Sequence, residues 1–266
     1  MINSTLYLRE MKKSVKILLI FAVIITMYVC IIIGMYDPEM MATLDSFYEI
    51  MPELMASVGM SAGAANLLGF MVSYLYGFIL LIFPMVFSIL CSNGLIAKYT
   101  DSGAMAVLVA APVKRRKIVF TQLSVLLSGV ALLLFYVTGL ELAVANSKFP
   151  GELVAAELFK LNTALLFLHL FIAGICFLTS CLFSDTKYSI AFGAGIPALM
   201  YVLQMLANVG EKAETAKYFT FFTLFDANGI VAGDQSAFLY SVVLLIGAIL
   251  MFISGIEIFC RKDLCL

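Results

Sequence analysis

Any chemistry in this chain has to come from few side chains, because only 12% of its 266 residues are charged and it has one histidine. That histidine, His169, stands apart from other ligand types, so no metal-ligand spacing and no H-E-x-x-H helix exists; no metal site and no catalytic residue are expected. Cys30, Cys91, Cys176 and Cys181 lie inside apolar runs and Cys260 and Cys265 near the C-terminal end. Cysteines so placed act as small hydrophobes. No G-x-x-x-x-G-K-[ST] segment occurs, so the chain does not bind ATP through a P-loop of its own. His169 sits within an apolar run and has two readings, a proton-relay group or an imidazole hydrogen-bonded to a neighbouring helix, the second being favoured. Glu141 and Glu257 fall at the ends of apolar runs, where both are expected to reach water or head groups. Neither then marks a buried ion path, which an ion-driven carrier needs near mid-bilayer.

The elements that must hold these residues follow from composition. Hydrophobic residues make up 63% of the chain and its mean hydropathy is +1.07. A soluble domain carries about 25% charged residues, so lipid must be the solvent for much of this surface. A net charge of −1 argues against nucleic acid as a partner, which calls for a concentrated basic face. Six runs are long enough to cross the hydrocarbon, at about 15–36, 67–91, 118–140, 161–183, 188–209 and 237–256. Uncharged runs of this length are helices. The class is therefore an all-α membrane protein with six transmembrane helices in a single domain spanning 1–266. Nothing that looks like a signal cleavage site follows the first run, which is expected to stay as a span.

Lys and Arg set the orientation. With the N-terminus inside, the inner segments hold four, five, one and two basic residues, twelve of the 16 in the chain. The first outer segment has none and carries Asp37, Glu39, Asp45, Glu49 and Glu53. Both termini are thus expected on the cytoplasmic side of a multi-pass protein.

Four segments outside the spans carry further signals. Tyr7, Leu8, Met11 and Val15 share one helical face, with Arg9, Lys12, Lys13 and Lys16 on the other. That pattern suits an N-terminal amphipathic elbow helix at the lipid interface, or a plain positive flank. In the first outer segment Met40, Met41, Leu44, Phe47, Tyr48, Met51, Leu54 and Met55 form one apolar stripe, with a kink or break expected at Pro52. The stripe either caps the bundle or offers an adaptable substrate surface. In the inner segment Ser92–Lys117, Asp101 or Ser102 caps a short helix, Gly103–Ala111, which Pro112 ends. Lys114, Arg115, Arg116 and Lys117 follow at once. A short greasy helix inside the cell calls for a partner's groove, or is simply a basic stop beside a span. Last, the outer stretch 210–236 is rich in Phe, including Phe221 and Phe222, and suggests a helical segment in the outer leaflet, with Asn228-Gly229 as its break.

The stretch DSGAMAVLVAAPVKRRKIV, Asp101 to Val119, resembles the acidic–x–Gly–T–L…L–x–x–P–V–S–R…I–V signature of ABC-2 type permeases, the transmembrane subunits of ABC transporters. Gly103, Pro112, Val113 and Arg115 occupy the Gly, Pro, Val and Arg places. The ending FCRKDL, Phe259 to Leu264, is similar to the F-x-R-R-D-L close of that family. Ala104 and Met105 stand where Thr-Leu is usual, Lys114 replaces Ser, and Gln122 replaces Lys.

The resemblance implies a permease in the bacterial cytoplasmic (inner) membrane. It would pair with a second permease chain, identical or paralogous, and dock on a pair of P-loop ATPase subunits that hold the ATP and Mg. The Gly103–Ala111 helix would be the coupling helix, with Asp101, Gly103, Met105, Leu108, Pro112, Lys114, Arg115 and Arg116 meeting the ATPase. Close packing of the two permeases would use small residues of the fifth span, Ala191 with Gly195 and Ala194 with Ala198. The apolar spans suit an amphipathic cargo, as in the exporters of phenol-soluble modulin type peptides that small permeases of this layout resemble. Met40, Met41, Met51, Phe221 and Phe222 would then face substrate. Export of hydrophobic drugs or lipids, and a non-transporting scaffold, are the alternatives.

Overall fold

In hydrocarbon each backbone N–H and C=O must be bonded within its own segment, and the apolar runs accordingly form helices. The computed structural model describes residues 2–37, 50–57, 66–209 and 211–262, and among them there is no strand. Six helical stretches are long and apolar enough to cross a membrane: Ser4–Met35, Leu67–Asp101, Arg115–Lys148, Ala155–Leu182, Thr186–Asn208 and Gln235–Arg261. They fall on the six expected runs, and the chain is a multi-pass, all-α membrane protein.

Helix α1 is Ser4–Met35 and the short α2 is Pro52–Ser57. The second span is composite, joining α3 (Leu67–Met71), a π-helical stretch (Val72–Ile79), α4 (Leu80–Leu95) and α5 (Ala97–Asp101). After α6 (Ala104–Ala110) come α7 (Arg115–Lys148), α8 (Ala155–Leu182) and α9 (Thr186–Asn208). Two 3-10 turns and α10 (Ala227–Val231) precede α11 (Gln235–Arg261). Helix α8 is the central post, packed against α4, α7, α9 and α11. Its apolar centre is 67% buried, against 28% for α1 and 22% for α9, so those two present most of their surface to lipid.

Both prolines inside the spans are answered by α8. Pro84 has no N–H to give the Leu80 carbonyl one turn earlier, and Pro197 leaves the Gly193 carbonyl in the same position. His169 Nε2 lies 2.8 Å from Leu80 O, and the Cys176 thiol donates to Gly193 O at 3.3 Å. A carbonyl accepts and never donates, so Nε2 carries the imidazole proton. His169 and Cys176 are seven residues apart, two turns along one face of α8. The expected hydrogen bond from His169 to a neighbouring helix is therefore present. Cys176 does more than fill space.

Two local expectations change, and a third is met in one of its two forms. There is no separate elbow: α1 runs unbroken from the Asn3 cap, whose Oδ1 accepts from Leu6 N, to Met35. No Gly or Pro interrupts residues 4–33, which leaves nothing to bend it. Its protein-facing side at this end is Leu6, Glu10 and Ser14, while Leu8 is exposed. Second, of the kink or break expected at Pro52 the break is found: the chain bends at Met51 and Pro52 opens α2, a first-turn position that needs no N–H partner. Met40 and Met41, with the stripe as far as residue 49, lie outside the described residues.

Third, Asn228-Gly229 is no break. Both sit within α10, whose N-cap Asp226 accepts from Gly229 N at 3.0 Å. A Cβ at Gly229 would collide with the Asp226 carboxylate and press on Ala237, so glycine allows the tight approach to α11. The chain turns instead at Gly233, at φ 84°.

Candidate functional site

Basic residues gather at one end of the bundle, where α6 lies across the opening between α5 and α7. Gly103 makes the turn into α6 in the left-handed region, at φ 72°. A Cβ there meets no neighbour, so the strain of Gly103→Ala is purely conformational and should cost about 1–2 kcal/mol. Thermal unfolding in mild detergent would register this as a lowered Tm, and an unchanged Tm would refute it.

Helix α6 is too short to span. It turns Met105 into the core, at 1% exposure, half-buries Leu108 and leaves Val107 74% exposed. Asp101, Pro112 and Lys114 are exposed around it. Met105 thus anchors the helix, and Val107 is the apolar side chain it shows outward. Gln122, about two helical turns into α7, is buried, and neither its amide oxygen nor its nitrogen has a partner.

The two motifs that carry the family resemblance meet at this end. Arg115 donates to the Lys262 carbonyl at 3.0 Å, and Arg116 pairs with Glu257 at 3.2 Å. Lys262 Nζ in turn donates to the last carbonyls of α8, Cys181 O at 3.2 Å and Leu182 O at 3.0 Å. A cation at a helix C-terminus satisfies orphan carbonyls and the negative end of the dipole. Partial burial lowers the pKa of this ammonium, opposed by the nearby Cys181 sulfur. Helices α7, α8 and α11 are so clasped directly beside α6. Glu257 is semi-exposed there, as expected.

Close by, Glu10 is 2% exposed despite its charge. Lys13 Nζ lies 3.1 Å from its Oε1, and the Tyr99 hydroxyl donates to the same oxygen at 2.7 Å. These groups line a cavity of about 320 Å³ between α1, α4 and α5. The sequence signal for it is slight: one acid in a segment of four cations, spaced four residues from Leu6 and from Ser14.

The opposite end overturns the expectation for Glu141. Its exposure is 0%, because α7 continues about two turns past it to Lys148 and the bundle closes over it. Asn162 Nδ2 donates to Glu141 Oε2 at 2.8 Å. The Tyr76 hydroxyl lies 3.1 Å from the same oxygen and 3.0 Å from Asn162 Oδ1. Glu141 Oε1 has no partner. Tyr76 comes from the π-helical stretch, a geometry that recurs at functional sites. Its ring also lines a cavity of about 340 Å³ between that stretch, α9 and residues 217–228. Comparison with known protein families, curated proteins and solved structures finds no match for this chain. Function therefore has to be argued from these two ends of the bundle.

Of the expected substrate-facing residues, Phe222 is buried at 2% and lines the cavity beside Tyr76, while Phe221 stacks on it and packs on Phe171 of α8. Met51 is exposed beside α2. The residues expected to pack a second copy, Ala191, Gly195 and Ala198, lie on the exposed side of α9, with open space around Gly195. Among the described residues no group of three His, Cys, Asp or Glu side chains could hold a metal ion.

Proposed function

We propose that this chain is the transmembrane subunit of an ATP-driven exporter of the bacterial cytoplasmic membrane. Two permease chains form the path, a separate pair of P-loop ATPase subunits drives it, and the cargo is an amphipathic or hydrophobic peptide. The observation that carries this reading is the basic end. A short helix, fixed by Met105, presents Val107 outward beside exposed Lys114 and directly against the α7–α11–α8 clasp that Arg115, Arg116 and Lys262 make. A helix anchored this way with an exposed apolar side chain suits a partner's groove, and the clasp beside it would pass a push to three spans at once. The small-residue side of α9 supports the pairing of two chains. The cavity beside Tyr76 and Phe222 supports a passage for part of a cargo.

Val107→Asp places a charge in the centre of the proposed groove contact without touching the core. Transport-linked ATPase stimulation by the purified permease should fall at least about tenfold, the effect of an unpaired charge in a desolvated contact. Folding and membrane insertion should stay unchanged. Undiminished stimulation in Val107→Asp would sink the coupling assignment for α6.

Buried Glu141 favours a second reading, an ion-driven carrier, since intramembrane carboxylates mark such paths. Purification from the native membrane separates the two. A stoichiometric P-loop ATPase supports the exporter, and proton or sodium flux through the chain alone in liposomes supports the carrier.

A further inference from the structure

The cavity beside Tyr76 has a wall of unusual chemistry. Two tyrosines line it, and each has already committed its single hydroxyl hydrogen to the protein. Tyr76 donates inward to the Glu141–Asn162 pair, and Tyr201 donates to the Gly77 carbonyl at 3.2 Å. Tyr76 thus turns its oxygen toward groups that do not line the cavity and gives the wall its ring, while the Tyr201 oxygen keeps lone pairs and no hydrogen for an occupant. The Asp226 carboxylate lies on the same wall, with Oδ1 capping α10. Aromatic rings complete it: Tyr201 and Phe222 meet edge to face at 5.5 Å, with Phe225 beyond them. Lys217 is the cation of the lining and opposes these acceptors.

Acceptor oxygens beside aromatic faces recognise a donor-rich cation, which gains both hydrogen bonds and the ring quadrupole. The volume of about 340 Å³ is at the lower end for small-molecule sites. It holds a head group and a few carbons, well short of a whole helical peptide. We propose that this cavity binds a primary ammonium carried on a short apolar body, with the Tyr201 hydroxyl oxygen and Asp226 taking N–H donors and the rings of Tyr76 and Phe222 the apolar part. The same chemistry is offered by a lysine or amino terminus of a peptide and by an aminolipid head group. In the exporter reading the cavity would be a cargo subsite, but ammonium binding is measured on the permease alone and does not depend on that reading.

The test uses the purified full chain in phosphatidylglycerol nanodiscs, with empty nanodiscs as blank and no ATPase. Binding of 4-fluorophenethylamine is followed by 19F NMR beside its alcohol and carboxylate analogues, 2-(4-fluorophenyl)ethanol and 3-(4-fluorophenyl)propionate. The amine should bind saturably and about tenfold tighter than either analogue. Tyr201→Phe should weaken it about fivefold, the loss of one hydrogen bond. Asp226→Asn, which keeps a good helix cap, should weaken it similarly and covers the case that Tyr201→Phe misfolds. Equal binding of the amine and the alcohol would overturn the proposal, as would unchanged amine binding in both variants. Adding phosphatidylethanolamine to the disc distinguishes the sources. Competition makes the occupant a lipid head group, and its absence leaves a free or peptide ammonium.

Discussion

Asn162→Leu should destabilise the protein by about 3 kcal/mol, the cost of leaving a buried carboxyl group with a partner removed. The expected size exceeds the roughly 0.6 kcal/mol average for hydrogen bonds between membrane helices. That average is small because most polar groups find another partner when one is taken away. Glu141 has none to find: its exposure is 0%, Oε1 is unpaired, and Oε2 keeps the Tyr76 hydroxyl alone. Replacing both members, Glu141→Leu with Asn162→Leu, should recover most of the loss, since apolar groups of similar volume need no partner. Glu141→Gln alone should cost less than about 1.5 kcal/mol, because an amide still accepts through its oxygen. Reversible denaturant unfolding in a defined detergent would measure all of these. A double variant as unstable as Asn162→Leu would show that packing, and not an orphaned carboxyl, sets the cost.

How much of this was legible in the sequence divides along a physical line. Helix number and place were legible because hydrocarbon thickness sets a length threshold that six runs clear and no others do. The short helix after Gly103 was legible from the proline that follows it, but its start was not: the expected caps Asp101 and Ser102 end α5 instead, and Gly103 opens α6 with no side-chain cap. Side-chain direction was not legible where helices extend past the hydrocarbon. Glu141 looked like a span end, but α7 runs on to Lys148, so the carboxyl points into the bundle. Met105 and Val107 look alike in sequence, yet only the packing of α6 decides which is core and which is outward. Likewise the π-helical stretch that turns Tyr76 inward has no composition cue, and its partner Asn162 read as an ordinary start to a span. Glu10 lost its signal among the neighbouring cations that made the segment look like a solvated flank.

His169→Leu should cost about 2–4 kcal/mol, because it strands the Leu80 carbonyl in the apolar core, where each unsatisfied backbone group costs several kcal/mol. The cause of that carbonyl's need is Pro84, four residues later and without an N–H. Pro84→Ala supplies the missing donor from within α4, so the double variant His169→Leu with Pro84→Ala should be clearly more stable than His169→Leu alone. A double-mutant cycle should give a coupling of about 1–2 kcal/mol between two residues in different helices, within the range for groups sharing a partner. The matching site at Pro197 should respond in the same direction but less, because the Cys176 thiol is a weak donor. If Pro84→Ala fails to rescue His169→Leu, the cost is that of fitting a branched aliphatic side chain into a fully buried slot shaped for a flat ring. A successful rescue would make His169 a backbone substitute, its proton held by the Leu80 carbonyl and so withheld from any relay through the spans.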